Sequence, residues 1–220
     1  MIFLFFGDIL KKILMILVTT ILIIFIYSCF YKKNITCLII SNNEIEYDMA
    51  LQEYLLKRYK NVNINNFFRN KKVEGIISDI NDNRTIWVSN IEYYLKKQLR
   101  ESDYIIIDVT EEFNNNYNPY DMQYNYQSFE NFYQKIQKLM IEVKKYTINK
   151  IIFIGLFNSS DYYDSNTDAF FYHINLKLNS LMNDNEFVYI NTYELVKGNH
   201  TLERNSFNKK LAEIIDFYIC

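Results

Sequence analysis

The chain has 220 residues, half of them apolar and 17% aromatic, with one proline and four glycines. That composition excludes a disordered linker and a loop-rich disulfide scaffold, and the length suits one folded domain. The formal charge of −2 is unevenly spread, because the residues beyond 33 hold 20 of the 24 basic side chains but 25 of the 26 acidic ones; with no basic face in view, a nucleic-acid partner is not expected.

The first feature along the chain is an uncharged run from Ile13 to Tyr31, ILMILVTTILIIFIYSCFY. At 1.5 Å per residue such a helix spans close to the roughly 30 Å hydrocarbon core of a bilayer. Lys11 and Lys12 precede the run and Lys32 and Lys33 follow it, so charge alone leaves the orientation open. No small-x-small cleavage site follows, and the arrangement reads as an uncleaved signal anchor. The membrane is therefore the expected partner of residues 13–31, with the folded part, residues 34–220, on the extracytoplasmic side of the cell membrane. A lipoprotein alternative rests on Ser28 and Cys29, although Tyr27 is bulky for a lipobox. The cysteines, Cys29, Cys37 and Cys220, are too few and scattered for a zinc site or a disulfide framework.

Beyond residue 33 short apolar runs alternate with helical periodicity. Strands are expected at Ile35 to Ile40, Val62 to Phe68, Tyr104 to Val109, Lys150 to Phe157 and Phe187 to Ile190. Between them, helices are expected over Glu44 to Lys60, Ile86 to Arg100, Tyr124 to Tyr146, Asp168 to Met182 and Ser206 to Tyr218, with a shorter helical turn at Ile76 to Ile80. Strands apolar on both faces and separated by helices predict an α/β fold in three layers, with a five-stranded parallel sheet covered on both sides. In such sheets ligands bind beyond the carboxyl ends of the strands. The segments to search for chemistry are therefore Ser41 to Glu44, Asn66 to Lys72, Asp108 to Glu112, Asn158 to Asp161 and Tyr193 to Glu203.

The order of these segments resembles the SGNH/GDSL hydrolase family, particularly its membrane-anchored bacterial members. Two stretches carry the resemblance. Ile151 to Asn158 (IIFIGLFN) is similar to the family's I-x-x-I-G-L-Y-N-P, and His200-Thr201-Leu202-Glu203, followed by Phe207 and Leu211-Ala212, is similar to its H-P-N-x-x-G-Y-x-x-I-A. The resemblance implies strand order 2-1-3-4-5 and makes His200 the catalytic base. It also shows what has been replaced. Asn43 stands at the nucleophile position, and an amide has no hydroxyl for a histidine to deprotonate. The stretch Asn66 to Lys72, with Lys71 at the motif position, lacks the oxyanion-binding glycine. Thr110 and Glu111 stand where the family's G-x-N-D supplies an asparagine donor, and Lys197 replaces the triad acid. Ser41 is the one hydroxyl near enough to act as a relocated nucleophile, with His200 as base and Asp161 or Glu203 as orienter; its plainer role is a turn or helix cap.

The remaining candidates have plain readings. The glycines, Gly7, Gly75, Gly155 and Gly198, are too few for a phosphate-cradling loop, and no cofactor is expected. Glu111, Glu112, Asp108 and Asp121 could ligate a hard cation but suit a solvated face better. His173 reads as helix packing or surface. Tyr117, Tyr120, Tyr124, Tyr126, Phe129, Phe132 and Tyr133 read as packing aromatics, with a platform for a small ligand such as an acyl or sugar ester as the sharper alternative. Three functions follow: a catalytically inactive SGNH-like binding or scaffolding domain, an active esterase or deacetylase using Ser41 and His200, or an unrelated flavodoxin-like domain centred on Asp108.

Overall fold

The computed structural model describes residues 13–22, 33–41, 47–68, 72–81, 90–157, 165–196 and 204–219. Residues 13–22 form helix α1, whose side chains are all exposed. Its only hydroxyls turn back on the helix, Thr19 donating to the Met15 carbonyl and Thr20 to that of Ile16, at 2.9 and 2.7 Å. The rest of the apolar run lies outside the described residues, among which no helix is long and apolar enough to cross a membrane.

Five strands follow in chain order: β1 (Ile35–Ser41), β2 (Val62–Phe68), β3 (Tyr104–Asp108), β4 (Lys150–Ile154) and β5 (Val188–Ile190). They form one parallel sheet in the order β2-β1-β3-β4-β5, as expected. The connecting helices are α2 (Asp48–Leu56), α3 (Val73–Asn81), α4 (Asn90–Glu101), α5 (Thr110–Asn114), α6 (Met122–Lys144), α7 (Ser165–Asp184), α8 (Thr192–Val196) and α9 (Arg204–Ile219). Two departures from the sequence reading stand out. β4 stops at Ile154 rather than Phe157, and α2 starts at Asp48 rather than Glu44. The one-turn helices α5 and α8 are additional.

The alternation of side chains along each strand divides the core between the two faces. Ile35, Cys37 and Ile39 of β1 point toward α2 and α9, where Leu51, Leu55, Leu211 and Ile215 meet them. Leu38 and Ile40 point the other way, into a larger cluster closed by α3, α4, α6 and α7. Reversal of the strand order after β2 produces this division, because right-handed crossovers to the left and right of β1 deliver helices to opposite faces. Strands buried on both sides need apolar residues at consecutive positions, and TCLII and YIII supply them.

Candidate functional site at the carboxyl edge of the sheet

β1 and β3 end side by side, with Ser41 directly opposite Asp108 in the register. Both continue the alternation that faces α2 and α9. Ser41 is 1% exposed and closes the strand. It does not cap a helix, since α2 begins only at Asp48, with Tyr47 in the N-cap position and no side-chain cap. Asp48 instead accepts a hydrogen bond from the Asn66 amide at 2.7 Å, tying the start of α2 to β2.

Asp108 is half-buried among polar neighbours. The Thr110 hydroxyl donates to its carboxylate at 3.0 Å, and the buried Tyr47 hydroxyl lies beside it without a well-formed hydrogen bond. Burial raises the Asp108 pKa above the ordinary carboxylate value; hydrogen bonds from Thr110 and the contact with Tyr47 oppose the shift, and the charge of Glu111 adds to it. Tyr47 is pushed well above the usual phenol value by burial first and by Asp108 and Asp48 next, so it stays protonated. Thr110 thus spends its hydroxyl on the protein's own carboxylate. Glu111 is half-buried on α5 beside it.

On the opposite face of the same edge, Glu112 is buried against the start of α3. Its carboxylate accepts from the Val73 N–H and from Lys135 Nζ, the latter at 2.7 Å, and Lys135 also reaches Glu74 at 3.0 Å. A cavity of about 370 Å³ opens here, with the Phe113 and Phe132 rings, the Asn116, Gln127 and Asn131 amides and Tyr124 in its wall. The expected aromatic cluster therefore splits. Phe129 and Phe132 are core residues, with Tyr117 and Tyr133 packed against it, whereas Tyr120, Tyr124 and Tyr126 are exposed. Asp121 caps α6 by accepting from the Tyr124 N–H at 2.9 Å, and His173 is exposed beside Tyr172. Among the described residues no three His, Cys, Asp or Glu side chains group closely enough to hold a metal ion.

The exit of β4 holds a polar knot that sequence reasoning missed. Asn175, 1% exposed on α7, accepts from the Leu156 N–H at 3.0 Å and from the Tyr189 hydroxyl, and donates to the carbonyls of Leu156 and Phe171 at 2.8 and 2.7 Å. Next to it the Gly155 N–H donates to Ile190 and its carbonyl accepts from the Thr192 hydroxyl, at 2.8 and 2.6 Å. A Cβ on Gly155 would come within 2.6 Å of the Tyr189 hydroxyl oxygen and 2.8 Å of the Ile190 carbonyl oxygen. The glycine of the IGLFN stretch is thus explained by close packing. The available signal was an amide in the middle of the apolar stripe Phe171, Ile174, Leu178.

Asn43, Lys71, Asp161, Lys197, His200 and Glu203 lie outside the described residues. The segment that carries His200 leads directly into α9, which covers the face to which Ser41 and Asp108 belong.

No protein-family model matches the chain, and no curated protein does. Solved structures do. The acetylxylan esterase Axe2 of Geobacillus stearothermophilus, in a catalytic serine mutant, matches with TM-score 0.58 at 12% identity over 86% of this chain and 95% of that one. Its catalytic aspartate and histidine mutants match as well. A gut microbial diltiazem-metabolizing enzyme matches with TM-score 0.57 at 10% identity, over 84% of this chain and 46% of that one. The N-terminal part of a Bacteroides fragilis protein, containing a phosphatase domain and solved with Mg, matches with TM-score 0.56 at 13% identity, over 84% and 50%. The fold is SGNH-like. At these identities the likeness is one of fold.

Proposed function

We propose that this chain is a membrane-anchored, extracytoplasmic SGNH-like domain that binds a small ligand, such as a sugar or acyl ester, and has lost serine hydrolase chemistry. The observation that carries the reading is the state of two hydroxyls at the ends of β1 and β3. Ser41 is buried, and the Thr110 hydroxyl, at the oxyanion-donor position, is bound to Asp108. Acyl transfer needs a reachable nucleophile and donors aimed at the developing oxyanion, each donor being worth about 10²-fold or more in rate. Asn43, Lys71 and Lys197 remove the nucleophile, the glycine donor and the triad acid in addition, by the family resemblance. A ligand-binding role is supported by the cavity beside Glu112, whose volume falls in the usual range of small-molecule sites and whose amides, phenol and phenyl rings suit a hydroxylated ligand.

The competing reading, ester hydrolysis through Ser41 and His200, draws on the sheet face that Ser41 shares with α9. A fluorophosphonate probe, used beside turnover of short acyl esters, separates the two. The expected result is no labelling of the full chain and turnover no faster than in buffer. Labelling that disappears in Ser41→Ala, with turnover lost in both Ser41→Ala and His200→Ala, would establish Ser41 as a relocated nucleophile.

A further inference from the structure

All five strands run in one direction, so the chain enters the domain at the amino edge of the sheet, at Ile35, and the helices that cover the sheet return to that edge. Only Lys32, Lys33 and Asn34 separate the apolar run from β1. Three extended residues reach about 10 Å, so an anchored domain has to hold this edge close to the bilayer.

The described residues of this edge carry more basic than acidic side chains, although Glu101, Asp103, Asp184 and Glu186 share it and Lys145 pairs with Glu142 at 2.6 Å. Lys57 and Lys60 follow α2, Arg100 lies in the last turn of α4, Lys145 follows α6, and Lys150 opens β4; all are exposed. Helix dipoles favour basic residues at helix ends, which accounts for some of them. Lys60 and Lys150 lie outside the helices, however, and no dipole explains the apolar side chains nearby. Ile148, in the turn between α6 and β4, is 102% exposed, and Phe217 is 73% exposed. The last turn of α9 is fastened to this rim, because the Tyr104 hydroxyl donates to the Ile219 carbonyl at 2.7 Å and Lys150 Nζ to that of Tyr218 at 2.6 Å. Exposed apolar side chains among lysines are the combination that an anionic headgroup layer accommodates, the charges meeting phosphates and the apolar groups the upper acyl region.

From this geometry we infer that the amino edge of the sheet lies on an anionic lipid surface, with Ile148 and Phe217 at the headgroup level. The inference rests on the anchor reading and extends it to an orientation. Its consequence is functional: at about 3.3 Å per residue, the length of β1 lifts Ser41, Asp108 and the cavity beside Glu112 about 20 Å clear of the headgroups. The site then takes its ligand from the aqueous space, in preference to the lipids of the supporting bilayer.

The test uses the full chain in lipid nanodiscs rich in phosphatidylglycerol, with Cys29→Ser and Cys220→Ser. Cys37 is fully buried and its thiol is pushed up to about 12, chiefly by burial, so it stays unlabelled. A fluorophore is placed at Ile148→Cys or, for comparison, at Tyr120→Cys, which is 83% exposed in the segment beyond α5 on the carboxyl side. The expected result is several-fold stronger quenching by headgroup spin-labelled lipid at 148 than at 120. Phosphatidylcholine discs, or Lys57→Glu with Lys60→Glu and Lys145→Glu, should weaken it, since each basic residue near an anionic surface is worth about fivefold in partitioning. Equal, weak quenching at both positions in a chain retained by the discs would overturn the orientation alone. A chain that elutes free of the discs would overturn the anchor and the orientation together. Retention of a labelled DNA duplex by phosphatidylcholine discs, with position 148 unquenched, would assign the basic edge to nucleic acid instead.

Discussion

Replacing Asn175 by alanine should be among the most damaging single changes outside the hydrophobic core. The side chain makes four hydrogen bonds inside the protein, to the Leu156 N–H, the Leu156 and Phe171 carbonyls and the Tyr189 hydroxyl. Alanine leaves the Leu156 N–H and the Tyr189 hydroxyl without an acceptor and the Leu156 carbonyl without a donor. The Phe171 carbonyl loses least, because it belongs to the helical ladder. An orphaned buried polar group costs about 1–3 kcal/mol, so three of them, with partial relaxation, give a loss of about 3–5 kcal/mol. That is a large share of the roughly 5–15 kcal/mol that holds a domain folded. Urea unfolding of residues 34–220, followed by far-ultraviolet circular dichroism, measures it. Asn175→Asp supplies the control, since a carboxylate accepts from Leu156 and Tyr189 but can donate to neither carbonyl until it is protonated, and then to only one. Its deficit should therefore shrink on acidification relative to the wild type. A loss below about 1 kcal/mol in Asn175→Ala would show that the knot is not what fixes the end of β4.

Three further outcomes follow from the same geometry. Gly155→Ala should cost about 1–3 kcal/mol or more by urea unfolding, because the Ile190 carbonyl that the new Cβ meets at 2.8 Å is held by the hydrogen bond from the Gly155 N–H. Asp108 has a folded-state pKa above its ordinary value of 3.8, so the stabilisation it gives is complete below that value and is lost as pH rises through the shifted one. Asp108→Asn should accordingly unfold at higher urea than the wild type near neutral pH and lose that advantage in acid. Glu186 ends α7 with φ of 62°, where the Phe187 N–H returns to the Met182 carbonyl at 2.9 Å in a Schellman arrangement. Glu186→Gly should therefore raise stability by up to about 1 kcal/mol, which a thermal melt would detect.

The sheet was legible in the sequence because parallel strands covered on both faces must be apolar at consecutive positions. ITCLII, YIIID and KIIFI meet that demand over runs as short as a strand. The five-residue helices α5 and α8 were not legible, since one turn cannot show a 3.6-residue period. The start of α2 at Asp48 escaped for a related reason: Glu44 and Ile45 continue its helical pattern on paper. At the site, strand order alone places Ser41 beside Asp108. Nothing in the residue types told that Thr110 would bind Asp108 instead of facing outward, because that depends on the rotamer chosen once Tyr47 has closed over the strand ends.

What the polar groups do at the two strand exits bears on how such a domain could keep a ligand site without the chemistry. At β4, the Gly155 backbone and the Asn175, Tyr189 and Thr192 side chains form a knot with no solvent-facing role, so any substitution there acts through folding. At β1 and β3, Thr110 is satisfied by Asp108, and Asp48 by Asn66, each within the protein. A catalytic edge pays in stability for donors left waiting for a transition state. Among the described residues of this edge, the Thr110 hydroxyl and the Asp48 carboxylate are already engaged within the protein. The groups at the Glu112 cavity are arranged otherwise: Gln127, Asn131 and Tyr124 line it, the Asn116 amide donates to the Glu112 carbonyl at 2.6 Å, and the buried Glu112 carboxylate is neutralised by Lys135. A neutral, hydroxylated ligand can enter there without stranding a charge, whereas an oxyanion formed at Ser41 would meet the Asp108 side of the sheet and find repulsion. On the proposed reading, loss of acyl transfer and retention of ligand binding would be independent, because they would draw on residues from opposite faces of the same sheet edge.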